Sequence, residues 1–324
     1  MNANHINTSK NGKNAMTKIN LLSSGNYDYL KSNLLAQCPD FNEVKIETKT
    51  FPDGERYWKI GESEKLHGKP AVYICGTIDD NAIFEAYNMA CTLVREQCSS
   101  LHLVLPYFGY STMERAVKSG EVVTAKNIAR MFSSLPLSAM GNYIYLMDLH
   151  SLGTQYYFEE NLHPIHLTSE PVIDSIIADI RKQSSCLVLA SADMGRAKWI
   201  EKMSNRLNLP GAYIMKKRIS GSETEVEALN ADVKGCDVVI FDDMIRSGSS
   251  IINAAKAYKS IGANDIYVIC VHGVFTPGAV QNLQNSGVIK QVYCTNTHPN
   301  ALANAGDFLK VYDISKILLQ NLKI

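Results

Sequence analysis

Two short runs, 186–190 (CLVLA) and 237–241 (DVVIF), are apolar at nearly every consecutive position rather than at alternate ones. A strand with one wet face alternates apolar and polar side chains. A strand that is apolar throughout must be covered on both faces, as in a parallel sheet flanked by helices. Further β-rich runs lie at 18–22, 44–48, 71–75, 100–105, 143–147, 211–215, 265–271 and 291–294. Helical periodicity fills 26–37, 80–97, 124–134, 169–183, 196–207, 249–261, 277–286 and 313–322. This alternation predicts an α/β chain whose sheets are mainly parallel. The rhythm occurs twice, on either side of 155–168, which suggests two similar halves. With 324 residues, 46% of them hydrophobic, each half can build its own core. We place an extension at 1–15, one domain at 16–160 and a second at 161–324.

Charge removes several classes of partner. Lys plus Arg total 32 and Asp plus Glu total 32. A balanced chain has no overall field to hold a nucleic-acid backbone or an anionic membrane, so any attraction for a phosphorylated ligand is local. The eight cysteines include no C-x-x-C pair, and several sit inside apolar runs, which reads as buried, reduced thiols in a cytoplasmic protein. His163 and His166 have no neighbouring thiols, so no structural zinc site is expected. No apolar run is long enough to span a bilayer. Residues 1–15 are polar, lack the features of a secretory signal, and are expected to be disordered, with Met16 as an alternative start.

The segment 238–250 (VVIFDDMIRSGSS) joins a buried strand to a helix. Ligands of open α/β sheets bind at such junctions, where strand ends leave a crevice and helix starts present unpaired N–H groups. Gly248 lets the backbone approach an oxyanion, and Ser247, Ser249 and Ser250 add hydroxyls. Asp242 and Asp243 suit sugar hydroxyls or hydrated Mg²⁺. Taken alone, the segment fits equally well a Ser-capped tight turn with two solvated acids.

Apolar strand, Asp-Asp, then Gly with hydroxyls before a helix resembles the phosphoribosyl-pyrophosphate loop of phosphoribosyltransferases and ribose-phosphate pyrophosphokinases. Other blocks resemble the second family, in order and over nearly the whole chain from about residue 19. They are FPDGE, PYFGYSTMERAVKSGEVVTAKNIARMF, MDLHSLGTQYYF, SADMGRAKWIEKM, MKKRISGSETEVE and VHGVFTPGA. This resemblance implies two similar phosphoribosyltransferase-like domains, each a mainly parallel sheet flanked by helices. It implies transfer of the β,γ-diphosphoryl group of ATP to the C1 hydroxyl of ribose 5-phosphate, with Mg²⁺ as cofactor. Lys216 and Arg218 match the catalytic pair, in a segment whose small and charged residues suit a mobile lid. Asp242, Asp243, Arg246, Ser247, Gly248, Ser249 and Ser250 match the ribose 5-phosphate site. Phe51, Asp53, Gly54, Glu55, Thr112, Met113 and Arg115 fall in the ATP blocks, and His150, Asp193 and Asp148 in the metal blocks. Family members complete the nucleotide site from a neighbouring subunit through the FPDGE block, which implies a homo-oligomer. The residues alone also allow FPDGE to be a turn, the Lys216–Arg218 stretch a solvated strand end, His150 a structural histidine and Asp193 a helix cap.

The chain departs from the common pattern in three places. Thr112, Met113 and Glu114 stand where the commonest members carry Arg-Gln-Asp. Arg246 stands where they carry Asp, and Ser249–Ser250 replace Gly-Thr. STMER with EVVTAKNIAR, YYFEENLHP and the non-acidic Arg246 are closer to the plant-type second class, which implies looser nucleotide specificity and little dependence on phosphate activation. A guanidinium at 246 can pair with the 5-phosphate or with the acids beside it. Two other readings share the loop: a phosphoribosyltransferase, which needs no ATP block, and a non-catalytic regulatory homologue, which would have lost Lys216 and Arg218.

Overall fold

The computed structural model describes residues 18–159, 161–192, 194–218, 224–229 and 232–324, and the side chains of 214–231 lie outside that description. The first half runs β1 (Ile19–Ser23), α1 (Asp28–Gln37), β2 (Phe41–Glu43), β3 (Ile46–Thr50), β4 (Arg56–Ile60), β5 (Ala71–Ile74), α2 (Asp80–Arg95), β6 (Leu101–Leu105), α3 (Thr124–Ser133), β7 (Asn142–Met147) and β8 (Leu162–Leu167). The second runs α4 (Glu170–Arg181), β9 (Leu187–Ser191), α5 (Ala197–Leu207), β10 (Gly211–Arg218), β11 (Thr224–Leu229), β12 (Asp237–Ile245) and α6 (Ser249–Ser260). It continues through β13 (Ile266–Gly273), α7 (Ala279–Asn285), β14 (Gln291–Thr295), α8 (Pro299–Ala303), β15 (Leu309–Tyr312) and α9 (Ser315–Asn321).

The first sheet has the order β2-β1-β5-β6-β7-β8, with every neighbouring pair parallel. The second has the order β11-β10-β9-β12-β13-β14-β15 and is parallel except for β10–β11. Strands β6 and β13 are buried at every position, as continuous apolar runs require. In the second sheet the order reverses between β9 and β12. A crevice therefore opens beyond their carboxyl ends, where a parallel sheet offers a ligand site.

Each half has its own core, and a third apolar core is shared. Leu30 and Leu34 of α1 meet Ile176 of α4, Val239 and Ile269 of the second sheet, and Ile317 of α9 in that shared cluster. Polar ties reinforce it: the Tyr27 hydroxyl donates to the Thr297 carbonyl at 3.1 Å, and Tyr29 to Asn296 at 2.7 Å. This packing brings the loops of one half against the crevice of the other.

Two expectations need correction. β8 pairs with β7 over six positions and closes the first sheet, so the boundary expected at 160 falls one strand early. Its sequence, LHPIHL, carries a proline and two histidines and is buried only at its ends, as an edge strand permits. Cys186 and Cys236 are not reduced thiols but form a disulfide. They directly precede β9 and β12, which lie side by side, and their Cα atoms are 4.8 Å apart, within bridging range. In the stretch read as a lid, Thr224–Leu229 forms β11, paired antiparallel with β10, while 219–223 and the extension at 1–15 lie outside the described residues. Among the described residues, no helix is long and apolar enough to cross a membrane.

Candidate active site

β12 delivers Asp242 and Asp243 to the crevice, and the chain then turns into α6. Gly248 stands at φ 80°, and a Cβ there would come within 2.9 Å of the Leu283 side chain. Conformation and space both demand glycine. The first amides of α6 have no intrahelical acceptor and carry the positive end of the helix dipole. Beside them the Ser247 and Ser249 hydroxyls lie 3.2 Å apart. The result is a cradle suited to an oxyanion.

The cradle is one wall of a cavity of ≈ 590 Å³. Asp242, Asp243, Arg246 and Ser247–Ile251 line it from the second half, with Gly195 and Arg196 from the segment after β9. Thr112, Arg115 and His150 line it from the first half. The Arg246 guanidinium crosses the cavity, its Nη2 donating to Thr112 Oγ1 at 3.0 Å.

The acids are strongly differentiated. Arg196 Nη2 lies 2.5 Å from Asp243 Oδ1 and its Nε 3.8 Å from Asp242, while His150 Nδ1 is 2.6 Å from Asp243 Oδ2. Burial and the repulsion of Asp243 push the Asp242 carboxyl up to about 8. Burial acts in the same upward direction on Asp243, but the hydrogen bond from His150 and the Arg196 charge overcome it and hold that carboxyl below its ordinary range. His150 Nδ1 stands within hydrogen-bond distance of both Asp243 Oδ2, at 2.6 Å, and Arg196 Nη2, at 2.8 Å, so the three side chains form one cluster.

Residues 19–135 match the family described as the N-terminal domain of ribose phosphate pyrophosphokinase, and residues 194–323 match the phosphoribosyl synthetase-associated domain. The ribose-phosphate pyrophosphokinase of Pyrococcus abyssi is 30% identical over 81% of this chain and 87% of its own length. The chain belongs to the ribose-phosphate pyrophosphokinase family. The chloroplastic ribose-phosphate pyrophosphokinase 2 of Arabidopsis thaliana is 29% identical over 93% of this chain and 74% of its own. The crystal structure of the phosphoribosylpyrophosphate synthetase of Mycobacterium smegmatis superposes with a TM-score of 0.81, at 24% identity, over 94% of this chain and 97% of that one. That likeness shows that the two-sheet α/β fold is shared over nearly the whole chain.

The fold brings ten of the expected site residues to one cavity: Thr112, Arg115, His150, Asp242, Asp243, Arg246, Ser247, Gly248, Ser249 and Ser250. Others stand elsewhere. Met113 is exposed and off the cavity lining. Phe51, Asp53, Gly54 and Glu55 form the exposed tip of the β3–β4 hairpin, closed by a bond from the Phe51 amide to the Glu55 carbonyl at 2.8 Å. Asp148, at φ 37°, accepts the Ser169 amide at 2.7 Å through its carboxylate. Its carbonyl meets His272 Nε2 at 3.1 Å. One oxygen of that carboxylate is thus engaged by the backbone between the halves. Asp193 lies outside the described residues. Lys216 and Arg218 stand on β10 opposite Val226 and Thr224, with their side chains outside the description.

Sequence reasoning missed Arg196, Tyr107 and Gly109. Arg196 directly follows Gly195 in SADMGRAKW, and only the fold sets it against acids 46 and 47 positions on. Tyr107 packs between His272 and His298, with ring centroids 5.2 and 5.0 Å away. Gly109 donates its amide to Thr77 Oγ1 at 2.6 Å, and a Cβ there would sit 1.9 Å from the Thr77 carbonyl oxygen. The PYFGY block carried the signal for both.

Mg²⁺ takes oxygen ligands and commonly uses one or two carboxylates, waters and substrate phosphates. Among the described residues no group of three or more His, Cys, Asp or Glu side chains is placed to hold a metal. Of the ligands expected from the sequence, His150 lines the cavity, which suits a hydrated ion shared with substrate rather than a cage supplied by the protein.

Proposed function

We propose that the chain is a ribose-phosphate diphosphokinase, transferring the β,γ-diphosphoryl group of ATP to the C1 hydroxyl of ribose 5-phosphate. The observation that carries the reading is the shared cavity, with a phosphate cradle on one wall and residues of the nucleotide block on the other. A transferase that uses the same cradle has no need of that second wall.

The 5-phosphate rests on the Ser247–Ser250 turn, and the ribose hydroxyls donate to Asp242 and Asp243. The C1 hydroxyl oxygen then attacks the β-phosphorus of ATP and gives up its proton to water, the bond from that phosphorus to the α,β-bridging oxygen breaks, and AMP leaves with the bridging oxygen. Phosphoryl transfer depends mostly on positioning and charge neutralisation. Lys216 and Arg218 supply cationic charge from β10. Bound Mg²⁺, held by His150 and Asp193, would neutralise the diphosphate. Phe51, Asp53 and Glu55 stand on an exposed hairpin, so they serve the nucleotide site of a second copy in a homo-oligomer. ATP and ribose 5-phosphate are the partners, and the cytoplasm is the expected setting.

Incubation with Mg²⁺, ribose 5-phosphate and ATP, followed by chromatography, tests the proposal. Equal amounts of AMP and phosphoribosyl pyrophosphate are expected. Absence of both with every nucleoside triphosphate defeats it.

A further inference from the structure

Arg246 belongs by sequence to the sugar-phosphate turn, but its charge does not stay there. The Arg246 carbonyl accepts the Thr276 amide at 3.1 Å, which fixes the backbone. The side chain then extends to the first half, where Nη2 donates to Thr112 Oγ1 at 3.0 Å, 134 residues away. Tyr107 lies beside it: burial pushes the Tyr107 hydroxyl up, and the Arg246 charge and hydrogen bond pull against that shift.

The cations around the cavity differ in what satisfies them. Arg196 is engaged by Asp243, and Arg115 lies 3.6 Å from Glu114. Arg246 forms no ion pair among the described residues; its partners are neutral hydroxyls. A guanidinium held by hydroxyls on a cavity wall keeps its full charge and spare donors. It is a ready partner for an oxyanion, most favourably in bidentate geometry.

From this geometry we infer that Arg246 binds the polyphosphate of the donor nucleotide, not the 5-phosphate of the sugar. Thr112 is its positioning residue, tying the guanidinium to the nucleotide wall. The cradle already holds helix-start amides and serine hydroxyls for the 5-phosphate, whereas the opposite wall offers the neutral Thr112 hydroxyl and Arg115, whose guanidinium lies 3.6 Å from Glu114. Arg246 brings a cation to that wall from the other half of the molecule. The inference rests on the proposed diphosphokinase reading.

Calorimetric titration of the full chain separates the two assignments without turnover. The probes are ADP, adenosine and ribose 5-phosphate, each added alone to the parent, Arg246→Gln, Arg246→Lys and Thr112→Val, with folding checked by circular dichroism. Loss of a charged hydrogen-bonding partner should weaken ADP about tenfold or more in Arg246→Gln. Adenosine and ribose 5-phosphate should stay within about twofold of parent, since an interaction with the donor polyphosphate is absent from both. Arg246→Lys should recover part of the ADP affinity, and Thr112→Val should weaken ADP and leave ribose 5-phosphate unchanged. Weakened ribose 5-phosphate with intact ADP binding overturns the inference, as does equal weakening of both or no change in either. Failure of the parent to form AMP and phosphoribosyl pyrophosphate is a separate result, which defeats the proposed reaction instead.

Discussion

Replacing Arg196 by methionine keeps most of the side-chain volume and removes the charge that faces Asp243. The Asp243 side chain is 8% exposed and that of Arg196 21%, so the pair sits mostly out of water. Stripping one partner from a buried pair costs about 3–5 kcal/mol, because the other charge stays behind uncompensated. Here His150 remains 2.6 Å from the second oxygen of Asp243 and keeps it hydrogen-bonded. We therefore expect a loss of about 2–3 kcal/mol, below the range for an orphaned charge. Asp243→Asn should cost less, because Arg196 is the more exposed partner and keeps Asp242 at 3.8 Å. In Arg196→Met with Asp243→Asn neither charge is stranded, so the double variant should fall short of the sum of the singles by about 1 kcal/mol or more. Urea unfolding with a chelator present reads these differences from the midpoint at constant slope, and the chelator stops a divalent ion from replacing the guanidinium. A loss under about 0.5 kcal/mol for Arg196→Met, or strict additivity, refutes the reasoning.

Lys216→Ala and Arg218→Ala should each abolish AMP formation while leaving the circular dichroism spectrum and melting point unchanged; normal turnover in both removes them from the catalytic assignment. Gly109→Ala drives a Cβ to 1.9 Å from the Thr77 carbonyl oxygen, so the PYFGY turn has to shift. Overpacking of this kind costs about 1–3 kcal/mol, and an unaltered unfolding midpoint contradicts the fit. His102 is buried against Tyr143 and Tyr145, and burial holds its imidazole down at about 4. The folded protein keeps it neutral while the unfolded chain binds a proton below its ordinary value of 6.5. Its contribution is therefore complete above pH 6.5 and falls by about 3 kcal/mol as pH drops to 4. Urea titrations of parent and His102→Asn across that interval should diverge by this slope, and parallel curves rule it out.

What the sequence reveals depends on how far apart the interacting residues lie. β6, β12 and β13 are legible because a strand covered on both faces shows its burial in its own residues. β2, β8 and β15 are short or interrupted edge strands, and their pairing comes from a neighbour rather than from pattern. The phosphate turn is legible for the same local reason: Asp-Asp, Gly248 and the serines lie within a dozen positions of one strand and helix. Arg196 against Asp243, and Cys186 against Cys236, are neighbours only because β9 and β12 lie together across an intervening crossover. Arg246 shows the limit most clearly. Its sequence neighbours assign it to the sugar cradle, but an arginine side chain is long enough to leave the turn that carries it, and the shared core brings Thr112 within 3.0 Å. The substitutions at Thr112 and Arg246, read separately, are a missing cation and a surplus one. Joined across the cavity, they are one cation moved from the first half of the molecule to the second.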